Sequence, residues 1–106
     1  MNELHRVIAI DFDGTLCENK WPEIGAPIME VIDAAKDEKA RGSQLVLLTM
    51  REGELESALK FCEGFGLTFD AVNDNTEEWK KAYGNNPRKI GATEYWDDRA
   101  INPIDF

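Results

Sequence analysis

The sequence predicts an α/β fold, a three-layer sandwich in which a central, mostly parallel sheet lies between helices. Two observations carry this. Short continuous apolar runs, such as Val7 to Ile10 and "QLVLLT" at 44–49, have the pattern of strands covered on both faces. Between such runs, apolar residues recur at helical spacing. Strands that alternate with helices return to the same end of a sheet, which makes the sheet parallel.

Taken in order, Val7 to Ile10 forms the first strand. "CENKWPEIGAP", residues 17–27, contains Pro22, Gly25 and Pro27 and reads as a loop. Ile28, Val31, Ile32 and Ala35 recur at i, i+3, i+4 and i+7, one apolar stripe of a helix that should end near Gly42. Residues 44–49 are the second strand. Leu55, Ala58, Leu59 and Cys62 form a second stripe that closes at "GFG", with Glu52, Glu54 and Glu56 near the positive end of that helix's dipole. "TFDAV" reads as a third strand, "TEEWKKAY" as a short helix with Asn75 and Glu78 as its cap pair, and "TEYW" as a fourth strand.

A chain of 106 residues, 42% hydrophobic, suits one domain over 1–106 with a single core. Its net charge of -9 disfavours nucleic acid, whose binders present clustered Lys and Arg. Cys17 and Cys62 show no CxxC spacing and suggest neither a disulfide framework nor a zinc site. No stretch approaches the roughly 20 apolar residues that span a bilayer, and "MNELHRVIAI" lacks a signal-peptide arrangement. The expectation is a soluble, cytoplasmic protein with no membrane partner.

The strand ends carry the chemistry. In a parallel sheet the carboxyl ends share one edge, where ligands bind. Asp11 and Asp13 follow the first strand, Thr49 closes the second, and Asp97 and Asp98 finish the fourth. Four carboxylates in one pocket would repel one another, so a hard cation such as Mg²⁺ is expected among them. Taken singly, "DFDG" also suits a plain turn and "DDR" a solvated acid pair. Their joint placement at strand ends favours a site.

These residues resemble the haloacid dehalogenase superfamily. "DFDGTL" after an apolar strand is similar to its first motif, DxDGT, which marks mostly phosphatases; "LVLLT" resembles the second, a strand closed by Thr or Ser. "YWDDR" resembles the acidic fourth motif, and Lys89 in "NPRKIGATEYWDD" is the best match to the third-motif lysine, with Arg88, Lys80 and Lys81 as the other basic candidates. The resemblance covers almost the whole chain and implies a Rossmann-like domain of the capless kind.

It also implies a Mg²⁺-dependent phosphatase acting on a phosphate monoester. Asp11 would attack phosphorus and become an aspartyl phosphate, while Asp13 would give the leaving group a proton and later take one from water. Thr49 and Lys89 would hold the phosphoryl oxygens. Asp11, the Asp13 carbonyl and Asp98 would hold the metal, with Asp97 behind Asp98 or on a metal water. Phe12, Gly14 and Arg51 fall on the substrate side, Gly14 by letting backbone N–H groups face the phosphate. Arg51 reads more simply as an exposed loop residue paired with Glu52 or Glu54. Trp21 would either lid the pocket or pack on the first helix.

An open, capless site would need a bulky substrate or a second subunit to complete it. Two other functions fit some of these features: a receiver-like phosphoacceptor or metal-binding module, and a phosphomutase. A receiver would carry its acceptor aspartate after a later strand. A phosphomutase usually needs a cap to exclude water.

Overall fold

A computed structural model describes residues 5–51, 53–83 and 91–97. Four strands form the central sheet: β1 (Val7–Asp11), β4 (Gln44–Leu48), β5 (Ala71–Val72) and β6 (Glu94–Trp96). Between β1 and β4 come β2 (Cys17–Lys20), β3 (Glu23–Pro27) and helix α1 (Met29–Ala40); α2 (Leu55–Gly64) precedes β5, and α3 (Glu77–Tyr83) precedes β6. The sheet order is β5-β4-β1-β6 and every pairing is parallel. Counting only these strands along the chain, the order is 3-2-1-4, the first part of a doubly wound, Rossmann-like sheet.

Alternation along β1 divides the core. Ile8 and Ile10 share one face with Leu45 and Leu47 of β4, and there they pack with Ile32 and Ala35 of α1 and Ala58 and Cys62 of α2. Val7, Ala9 and Val46 face the other way, toward Trp79 of α3 and Ala92. The layers are therefore helix, sheet, helix. Val7–Ile10 of β1 and Leu45–Leu48 of β4 are unbroken apolar runs because both of their faces are covered.

The first helix runs from Met29, just past the Ile28 that opens its stripe, to Ala40, two residues before Gly42. The third strand is shorter than "TFDAV" suggests. Asp70 donates its N–H to the Leu45 carbonyl and accepts the Leu45 N–H on its side chain, both at 2.8 Å, so its carboxylate replaces a rung of the ladder. The cap of α3 also differs from the expected pair. Thr76, one residue nearer the helix than Asn75, accepts the Trp79 N–H at 3.2 Å. Asn75 instead accepts the Gly91 N–H at 2.6 Å, and Glu78 binds the His5 backbone N–H and ring. Of the three glutamates expected at the second helix, Glu54 and Glu56 flank its start, and Glu52 lies outside the described residues.

Residues 17–27 are a β-hairpin, not a loop. β2 and β3 pair antiparallel, Lys20 opposite Glu23, and Trp21 and Pro22 form the tip. Neither strand alternates cleanly; Cys17 is its one buried residue and Ile24 leans against the main core. The hairpin exists because of what it touches, which local composition cannot show. At its waist Gly25 sits where a Cβ would collide with the Glu18 carbonyl oxygen. Because that obstacle is backbone, Gly25→Ala should force the two strands apart and cost about 1–3 kcal/mol. The midpoint of urea unfolding reads this directly, and an unchanged midpoint would show that the strands are not so close.

Cys17 and Cys62 are both buried free thiols. Burial pushes both upward, Cys62 to about 12, so both are protonated and unreactive at neutral pH. No helix among the described residues is long and apolar enough to cross a membrane.

Candidate active site

Asp11 is the last residue of β1 and pairs with Leu48 of β4 on one side. On the other side Ile10 pairs with Trp96, so the parallel register carries Asp11 alongside Asp97. The gap between β1 and β6 is where the strand order reverses, the place at which doubly wound sheets bind ligands. The two acids flank it. Thr49 and Met50 follow β4 at the same edge.

A cleft of about 370 Å³ opens here, lined by Asp11, Asp13, Asn19, Trp21, Thr49, Met50 and Arg51. Three separate segments therefore supply its walls: the first motif, the hairpin and the turn after β4. Trp21 stands at its mouth, 57% exposed, and is not packed into the core.

Arg51 is not an exposed loop residue, and the carboxylate it grips is that of Asp13. Its residue exposure is 1%, and its Nε and Nη2 donate to the two Asp13 oxygens at 2.8 and 2.7 Å. Nη1 donates to the Pro22 carbonyl and Nη2 to that of Glu23, each at 2.9 Å. The guanidinium also lies over the rings of Trp21 and Phe12, at 4.8 and 5.3 Å from their centroids. Hydrogen bonding to Asp13 raises the Arg51 guanidinium still further above its already high range. It is held as a permanent cation.

This changes the expected charge balance. Asp13 is neutralised by a buried arginine, whose planar fork matches a carboxylate. Among the described residues no three His, Cys, Asp or Glu side chains gather as a metal cage. The described acids offer two carboxylates, Asp11 and Asp97. Mg²⁺ is usually held by one or two carboxylates together with water and substrate oxygens, so this pair suits it. Asp98, Lys89 and Arg88 lie outside the described residues. Lys80 is held by Asp74 at 2.8 Å and by Glu77 at 3.4 Å and does not line the cleft.

Two expected substrate contacts take other roles. The Phe12 side chain is fully buried, edge-on to Phe61 at 5.8 Å, and its N–H donates to the Leu48 carbonyl, so it forms the floor beneath Arg51. Gly14 does adopt a positive φ of 91°, which lets the chain reverse after β1. Its own N–H donates to the Cys17 carbonyl at 2.8 Å and starts the hairpin.

No family model matches the chain, and no curated protein matches it. Among solved structures, a conserved protein coded by a locus of Bacteroides thetaiotaomicron superposes with a TM-score of 0.78 and 34% sequence identity, over 92% of this chain and 79% of that one. The chain belongs to that protein's family. With the Bacteroides protein it shares the fold at nearly full length, and therefore the sheet edge on which the cleft is built.

One residue at this edge carries no motif signal. Asn73, just after β5, has a φ of 51° and pairs face to face with the Thr49 backbone: the Thr49 N–H donates to Asn73 Oδ1, and Asn73 Nδ2 donates to the Thr49 carbonyl, both at 2.9 Å. Thr49 Oγ1 in turn accepts the Arg51 N–H at 3.0 Å. The hydroxyl thus keeps its own proton to donate. An Asn directly after a strand is the sequence feature that could have drawn notice, since Asn tolerates the left-handed region.

Proposed function

We propose that the chain is a capless phosphatase of the haloacid dehalogenase superfamily, which hydrolyses phosphate monoesters with Mg²⁺. The observation that carries this reading is the convergence of Asp11, Asp13 and Thr49 on one cleft at the carboxyl edge of the sheet, beside the strand-order reversal.

Asp11 serves as nucleophile. Its carboxylate oxygen forms a bond to phosphorus while the ester P–O bond breaks; Asp13, a carboxylate paired with Arg51 at rest, takes up a proton from solvent as the substrate enters and passes it to the departing oxygen. Arg51 occupies one acceptor site on each Asp13 oxygen, which leaves further lone pairs for the travelling proton. Water then attacks the aspartyl phosphate and loses a proton to Asp13, which releases inorganic phosphate and restores Asp11. Thr49 donates its hydroxyl to a phosphoryl oxygen, its backbone held still by Asn73. Lys89 is the proposed cationic donor to the phosphate. Asp11, the Asp13 carbonyl, Asp97 and Asp98 would hold Mg²⁺, which when bound supplies positive charge against the phosphoryl oxygens.

The test is direct. Purified protein should release phosphate from p-nitrophenyl phosphate with Mg²⁺, and EDTA should stop release and lower the melting temperature by a few degrees, because the folded state loses a bound ligand. Release that persists in EDTA would overturn the metal assignment. No release from any phosphate monoester would overturn the phosphatase.

A further inference from the structure

The outer walls of the cleft carry features that attack by Asp11 does not require. Trp21 and Met50 are 57% and 94% exposed, large apolar side chains that folding leaves in water, and both line the cleft. They arrive from different elements, the hairpin tip and the turn after β4. Arg51 lies against one part of the Trp21 ring and anchors it at the rim, while much of the indole stays open. An anchored, open indole is a stacking surface.

Four of the five Arg51 guanidinium N–H groups go to Asp13, Pro22 and Glu23, so the cation that carries the Trp21 ring is itself fixed in place. Asn19, the remaining wall residue, offers a neutral amide. A cleft of about 370 Å³ is at the small end of ligand sites, enough for a phosphoryl group and a compact ring system.

Building on the phosphatase reading, we propose that the cleft selects monoesters whose leaving group carries a flat ring, stacked on Trp21 beside Met50.

Two esters of primary alcohols test this, because their leaving groups are equally basic and differ only in the remote group: 2-phenylethyl phosphate and 2-cyclohexylethyl phosphate. The phenyl ester should exceed the cyclohexyl ester about fivefold in kcat/KM, mainly through KM, as expected for one aromatic stack. In Trp21→Ala the phenyl-to-cyclohexyl ratio should fall to about one, and in Trp21→Phe most of it should return, which separates stacking from any loss of fold. Calorimetric binding of 3-phenylpropylphosphonate and 3-cyclohexylpropylphosphonate to the wild-type protein with Mg²⁺ gives a readout free of turnover. A ring preference in binding that Trp21→Ala removes supports the stacking site even if no ester is hydrolysed, in which case only the phosphatase reading falls. Hydrolysis of the phenyl and cyclohexyl esters at equal kcat/KM, or a ratio that survives in Trp21→Ala, overturns the stacking site and leaves the phosphatase standing.

Discussion

Asp11→Asn should abolish Mg²⁺-dependent phosphate release, by roughly 10³-fold or more, while the protein folds as before. The amide's lone pairs are delocalised, so it cannot form the bond to phosphorus that the carboxylate forms. Stability should hold, because the amide keeps the size and shape of the carboxylate at the end of β1 and leaves the pairing with Leu48 undisturbed. Activity and calorimetric melting should be measured on the same sample. Residual turnover above about one per cent of wild type, with contamination excluded, would remove Asp11 from the nucleophile's role. A large drop in melting temperature would show instead that its carboxylate is structural.

Arg51→Met should be the most destabilising single change at the site, costing about 3–5 kcal/mol, because it leaves the Asp13 carboxylate and the carbonyls of Pro22 and Glu23 without their donor. The Asp13 side chain is 21% exposed, so water can replace only part of what is lost. For a domain of this size such a loss lowers the melting temperature by on the order of 15–25 °C. Arg51→Lys should recover little, since one ammonium cannot reach Asp13 and both carbonyls at once. The double variant Arg51→Met with Asp13→Asn should be more stable than Arg51→Met alone, because no lone charge is then left behind. Urea denaturation of the four proteins checks this cycle. A loss under about 1 kcal/mol for Arg51→Met would mean that the ion pair behaves as a surface one.

How much of this was legible from the residues depends on how local each cause is. The strands at Val7 and Gln44 and the helices over 29–40 and 55–64 follow from periodicity and apolar runs, both properties of short windows. The meeting of Asp11 with Thr49 follows one step later, since parallel strands share an edge. Arg51 was misjudged because nothing within a few residues of it marks an arginine for burial; its partner is Asp13, 38 positions away. The hairpin was missed for the same reason. Its strands are mostly polar, interrupted by Gly and Pro, and are held by Cys17, Ile24 and the guanidinium that reaches the Pro22 and Glu23 carbonyls. Asn73 acts through two backbone hydrogen bonds to a residue 24 positions distant, and no spacing rule foretells that.

The buried guanidinium has a consequence for how such an enzyme would keep time. Many enzymes close a mobile lid over their substrate, and reopening it to let product escape often limits turnover. Here the overhanging element is riveted to the floor. The cation that bonds Pro22 and Glu23 also bonds Asp13, so the hairpin cannot swing outward without stripping the site of its proton carrier's partner. Such an excursion costs about as much as breaking a buried ion pair, which places it among the rare, near-global openings of the fold and not among loop motions. Product would leave past a fixed rim, and the pace of the cycle would be set by bond-making at phosphorus.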